Sequence, residues 1–180
     1  MPPRFLYALV AMLVLGGAAT RAGAEDDVPD LRTTPYVDLS RFMGKWWVIS
    51  HVPNFLEKGK VATSDTYTLV SKERIRTVFT FRSDSLDGPE DTWPGKARII
   101  NTTTNADWKV QLLWPFETRY LVLDLDPNYG WAVVSNGSGK LLWVLSRTPK
   151  LDSYTYQIIV EHLRQRRFNP DLLQLVPQSP

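Results

Sequence analysis

The chain has 180 residues, 43% of them hydrophobic and 12% aromatic, with seven tryptophans; that suits one domain with a substantial core. Its 21 Lys and Arg nearly balance 19 Asp and Glu, which argues against a nucleic-acid partner, because such a partner needs a basic stripe. There is no cysteine, so disulfides, a thiolate nucleophile, a Cys-ligated metal and a lipid attached through cysteine are all excluded.

Residues 1–24 read as a secretory signal peptide. Arg4 gives a positive start, Phe5 to Leu15 is a short apolar run, and Ala22-Gly23-Ala24 is a cleavage signature. The run is too short for a membrane span of ~20 residues. Cleavage removes Arg4 and Arg21 and leaves 19 basic against 19 acidic residues. Together with the missing cysteine this predicts a periplasmic or secreted protein of the bacterial envelope that is not a lipoprotein. Residues 25–36 are acidic and contain proline, and read as a flexible leader; the domain proper is expected over 37–180.

Val37 to Met43 can form one short turn of helix capped by Asp38. Strand signals follow at short spacing: Lys45 to His51, Thr63 to Val70, Ile75 to Arg82, Gly95 to Asn101, Trp108 to Trp114, Arg119 to Leu125, Tyr129 to Val134 and Lys140 to Arg147. Turn residues separate them, among them Asp87-Gly88-Pro89, Asp126-Pro127-Asn128 and the hairpin signal Asn136-Gly137-Ser138-Gly139. The period then changes: Tyr156, Ile159, Val160 and Leu163 mark one face of a helix from Asp152 to about Arg167, ended by Asn169-Pro170. Leu172 to Val176 can add a last short strand. The predicted class is all-β, an eight-stranded antiparallel up-and-down barrel with one C-terminal helix packed outside.

Such a barrel must fill its closed end. Trp46, in Gly44-Lys45-Trp46, is the expected plug, and Arg147, about a hundred residues later in Leu145-Ser146-Arg147-Thr148-Pro149, its cation–π cap. Period two then assigns the interior. With Trp46 inward, Val48 and Ser50 follow; on later strands the inward set is Ile75, Thr77, Phe79 and Phe81, then Ala97 and Ile99, then Trp108, Val110 and Leu112, then Trp131 and Val133. These residues are the expected cavity lining. For Phe79, Trp108 and Trp131 the choice between lining a cavity and filling a core stays open, and a slip of one residue in phase would reverse each assignment. Lys58, Lys60 and Arg119 are candidates for contacting a head group at the mouth.

The ordered set Val37-Asp38-Leu39-Ser40-Arg41-Phe42-Met43-Gly44-Lys45-Trp46-Trp47, Pro53-Asn54, Tyr67-Thr68-Leu69, Gly95-Lys96-Ala97, Trp114-Pro115-Phe116, Leu123-Asp124, Tyr129, Ala132-Val133-Val134 and Leu142 to Pro149 resembles the lipocalins. More narrowly, it is similar to the bacterial outer-membrane type on the apolipoprotein D-like branch. The resemblance implies a cup that binds and carries small hydrophobic ligands, for the bacterial branch fatty acids or lysophospholipids. It also implies a monomer or homodimer, and it is compatible with peripheral membrane contact. Two departures stand out. The bacterial members are anchored through a cysteine that this chain lacks, and Trp47 stands where the family usually has Tyr.

No enzyme, metal site or cofactor is expected. His51 and His162 are the only histidines and have no partner at metal-ligand spacing; no Gly-x-Ser-x-Gly elbow is present. Two other readings use the same barrel. An enzyme acting on a lipid or isoprenoid would need a titratable group buried in the cup, where the inward list offers only Ser50 and Thr77 as polar members. A protein-interaction module would expose an apolar patch at the mouth.

Overall fold

The computed structural model describes residues 28–178 except Trp114, with the backbone alone at Leu113; the expected signal peptide lies outside the described residues. Helix α1 (Leu39–Phe42) is capped by the Asp38 carboxylate, which accepts from the Ser40 and Arg41 amides. Eight strands follow: β1 (Gly44–His51), β2 (Lys60–Ser71), β3 (Arg74–Ser83), β4 (Glu90–Ile99), β5 (Asp107–Leu113), β6 (Phe116–Leu125), β7 (Trp131–Ser135) and β8 (Leu142–Ser146). Each pairs antiparallel with the next, and β1 pairs with both β2 and β8, which closes the barrel. Helix α2 (Ser153–Gln165), capped by Asp152, packs outside, and β9 (Gln174–Leu175) adds two residues to the end of β1.

The chain therefore forms the expected barrel, with some shifted boundaries. β4 starts at Glu90, not Gly95, and carries Pro94 in its middle. It pairs with β3 along its whole length but meets β5 only from Lys96 onward. Pro94 thus sits on a free edge, where a missing N–H is tolerated. β6 begins at Phe116, earlier than its apolar residues suggest. Residues 28–36 are not a loose leader: the Asp30 amide donates to Arg166 O (2.8 Å) and the Thr34 amide to Val122 O (2.9 Å). The Arg166 guanidinium donates in turn to the carbonyls of Asp30, Arg32 and Leu123.

Buried side chains form two clusters separated by the sheet. The inner one holds Phe42, Trp46, Val48, Tyr67, Ile75, Ala97, Ile99, Trp108, Val110, Val122, Ala132, Val134 and Leu145, among others. The outer one holds Ile49, Leu121, Leu123, Val133, Leu142 and Val144, covered by Ile159 and Leu163 of α2 and by Phe168.

The closed end is built around Trp46, which is 0% exposed. Its ring meets Phe42 at 5.0 Å and its Nε1 donates to Phe42 O (2.8 Å). The Arg147 guanidinium lies 3.7 Å over the indole. It donates to four carbonyls, those of Arg41, Phe42, Met43 and Lys45. Gly44 turns the chain from α1 into β1 at φ +95°, a conformation only glycine adopts readily. Replacing Trp46 by Ala should cost about 3–5 kcal/mol of stability in urea unfolding. Arg147→Met, which leaves several of those carbonyls short of a donor, should cost about 1–3 kcal/mol.

Candidate functional site

Above the floor the barrel keeps a cavity of about 130 Å³. Its apolar wall comes from Phe79, Val110, Leu112 and Val134, with Leu141 near the β7–β8 hairpin. Trp93 and Trp143 add aromatic surface, and Tyr67 and Tyr120 close it below. The loop between β1 and β2 hangs over the open end and contributes Asn54, Leu56 and Glu57. Room near β4 depends on Gly95: a Cβ there would lie 2.6 Å from Thr77 Oγ1 and 3.0 Å from Leu112 Cδ2.

The polar members are few and mostly acidic. Asp65 of β2 stands opposite Trp46 on one side and Phe79 on the other. Burial pushes its carboxyl up to about 7, and the negative charge of Glu57 pushes in the same direction. Glu57 accepts from Trp143 Nε1 (2.8 Å) through one oxygen. Its other oxygen lies 3.2 Å from His51 Nδ1 but outside hydrogen-bonding geometry. The Tyr67 and Tyr120 hydroxyls bond each other at 2.9 Å. Burial, reinforced by the charge of Asp65, holds both phenols well above their ordinary range, so they are neutral donors. The Arg119 guanidinium is engaged by both oxygens of Asp107, which pairs with the outward Leu121 at the closed end of β5, so this candidate for a head-group contact is turned away from the mouth, where Lys60 Nζ sits 4.3 Å over Phe81 and 4.4 Å over Trp93.

The profile of the lipocalin-like domain matches residues 37–178. The chain belongs to the lipocalin family. It is 26% identical to the outer membrane lipoprotein Blc of Vibrio cholerae over 98% of this chain and 99% of that protein. It is 29% identical to temperature-induced lipocalin-1 of Arabidopsis thaliana, over 79% of this chain and 80% of the relative. Among solved structures, insecticyanin of the tobacco hornworm Manduca sexta superposes with a TM-score of 0.66 at 18% identity, covering 84% of this chain and 86% of that one.

Of the residues expected to line the cup, this lipocalin places Thr77, Phe79, Val110 and Leu112 on the cavity wall. Phe81 is buried beside Phe79 (5.5 Å) and Trp93 (4.9 Å), toward the mouth. Val48, Ile75, Ala97, Ile99 and Trp108 point inward but fill the floor. Trp108 stacks on Tyr120 (5.1 Å) and meets Phe42 edge-on (5.4 Å), so it is packing, not lining.

Three assignments are corrected. Ser50 faces outward, where it accepts from the Tyr156 hydroxyl of α2 (3.0 Å); a register shift between Val48 and Ser50 reverses the phase of β1. Trp131 and Val133 also belong to the outer cluster, while Ala132 and Val134 face inward. Both faces of β7 are apolar because α2 covers the outer one, so alternation there carries no sign.

Asp65, Tyr67, Tyr120, Trp93, Trp143 and Glu57 reach the cavity from positions the sequence reading did not assign to either face. The β2 set was within reach, since Asp65 pairs with Trp46 and Tyr67 with Gly44. Glu57 comes from a loop with no period to read.

The raised Asp65 makes a pH prediction. The fold binds this proton more tightly than the unfolded chain, whose carboxyl has the ordinary 3.8. The stabilisation is therefore complete below the unfolded value and is lost as pH rises through about 7. In denaturant titrations between those limits, wild-type stability should fall by up to about 1.4 kcal/mol per pH unit from this one group. Asp65→Asn should remove that slope.

Proposed function

We propose that this lipocalin binds and carries small hydrophobic molecules, fatty acids or lysophospholipids, in the bacterial cell envelope, as a periplasmic or secreted binding protein and not as an enzyme. The observation that carries the proposal is the apolar cavity held above a sealed floor. Each CH₂ group moved from water into it contributes ~0.8 kcal/mol. At about 130 Å³ the cavity is below the ~300–1,000 Å³ of full ligand pockets. It is close to the ~150 Å³ of a cavity that takes benzene. The end of an acyl chain fits inside, and the rest emerges beneath the β1–β2 loop with its head group near Lys60. Phe55 and Phe116, 84% and 77% exposed, flank the open end and offer aromatic surface for contact with a membrane during exchange.

A second reading, an enzyme acting on a lipid or isoprenoid in the same barrel, draws on one observation. Asp65 titrates near neutrality and opens on the cavity, as a general acid or base does. Product formation from a bound lipid, abolished in Asp65→Asn, would favour it.

Native mass spectrometry of gently purified protein should show a bound lipid, and fatty acid or lysophospholipid should displace a fluorescent fatty-acid probe. Leu112→Trp fills the cavity and should abolish probe binding. Trp131→Ala, on the outer face, should cost roughly 3–5 kcal/mol of stability and leave the affinity of the folded protein unchanged. An empty barrel that ignores every lipid probe would sink the proposal.

A further inference from the structure

Helix α2 covers outer residues of β1, β7, β8 and the end of β6. The wall from β3 to the start of β6 lies away from it and carries charge of one sign. Its outward positions hold Arg74, Arg76, Lys96, Arg98, Lys109 and Arg119, all exposed. Register sets them face to face: Arg74 pairs with Arg98, Arg98 with Lys109, and Lys109 with Arg119. A second row puts Arg76 against Lys96. With strands ~4.8 Å apart, the first row runs about 14 Å across the sheet. Like charges directly opposite each other destabilise a sheet. Their spacing is shorter than the Debye length of about 10 Å in 0.1 M salt, so dissolved ions do not cancel the repulsion.

Counter-charge is scarce on this wall. Glu117 lies 3.9 Å from Lys109, and Asp107 holds Arg119. Arg74, Arg76, Lys96 and Arg98 have no ion pair among the described residues. The near balance of 21 basic and 19 acidic residues over the chain therefore hides a segregated surface, whereas a merely solvated face intersperses both signs. A second feature lies among these cations. Val70 and Ile100 are 59% and 41% exposed. Val70 borders an open groove of about 400 Å³ together with Arg74, Arg76 and Lys96, and Ile100 stands two positions after Arg98.

We infer that this wall docks the protein on an anionic phospholipid bilayer, with Arg98 at the centre of the contact. A layer of phosphates meets both rows at once and relieves their mutual repulsion. Each basic side chain near such a surface favours binding by about fivefold. The headgroup region also takes up apolar side chains such as Val70 and Ile100, which a row of nucleic-acid phosphates does not. The wall lies outside the cup and acts whether the cup is empty or loaded.

Vesicle sedimentation tests this. The purified protein should sediment with vesicles of phosphatidylglycerol mixed equally with phosphatidylcholine and should ignore phosphatidylcholine alone. It should be released at about 1 M salt, where the Debye length falls to ~3 Å. Arg98→Glu changes the wall by two charges and should weaken binding about 25-fold. The same change places an acid between Arg74 and Lys109, so the urea midpoint should rise, which shows that the loss is not unfolding. Arg74→Gln combined with Lys96→Gln should lose a similar factor without creating an ion pair, and Lys150→Gln, beyond β8, should change little. Affinity for a fluorescent fatty acid should stay the same in all these variants, which separates this surface from the carrier reading. Equal binding to neutral vesicles, or wall variants that bind the mixed vesicles as the wild type does, would overturn the inference. So would salt-sensitive capture of a DNA duplex with no capture by vesicles, since the wall then serves a different polyanion.

Discussion

The stacking of Arg147 on Trp46 is the contact on which the rest of the structure depends. An eight-stranded barrel has an interior wide enough for side chains but open at both ends. Here one end is closed by an indole whose N–H is satisfied by Phe42 O and whose face is covered by a guanidinium. That guanidinium also gathers the carbonyls at the end of α1 and the start of β1. A single side chain just past the last barrel strand thus ties the first helix to the first strand. With the bottom sealed, the remaining interior is a cup and not a pipe, and the space above Tyr67 and Tyr120 can exclude water from one direction.

The outer helix has a less visible consequence. α2 needs an apolar bed, so β7 and β8 present hydrophobic residues on both faces. Their inner residues, Ala132 and Val134, are smaller than the outward Trp131, which leaves volume inside the barrel where a tryptophan would have filled it. β1 solves the same problem with a register shift that turns Ser50 outward to meet Tyr156. The terminal segment is part of this arrangement as well: the Val176 backbone amide donates to Ile49 O (2.9 Å) and Gln178 Nε2 donates to Val48 O (2.7 Å).

Carboxylates in a small cavity are expensive to bury unless something offsets their desolvation. Glu57 has Trp143 and a neighbouring His51; Asp65 has less, and its response is to hold its proton more strongly.

Much of the architecture was legible along the chain. Alternation within the strands, turn chemistry between them and the change to a helical period after Asp152 define the barrel and its outer helix, because these signals depend on neighbours a few residues apart. The Trp46–Arg147 pair was readable for the same reason, since each sits at a strand end with a recognisable flank. Which face of β7 looks inward was not readable, because a strand buried on both sides has no polar face to set its phase. Nor was the composition of the cavity. Glu57 arrives from a loop without periodicity, and Asp65 becomes a cavity group only when strands far apart in sequence are curled into one wall, whereas Thr77 followed from the period of its own strand. Local periodicity thus settled the elements and their order, while closure of the barrel alone decided which polar groups share the interior, since that depends on register and bulges that no single strand records.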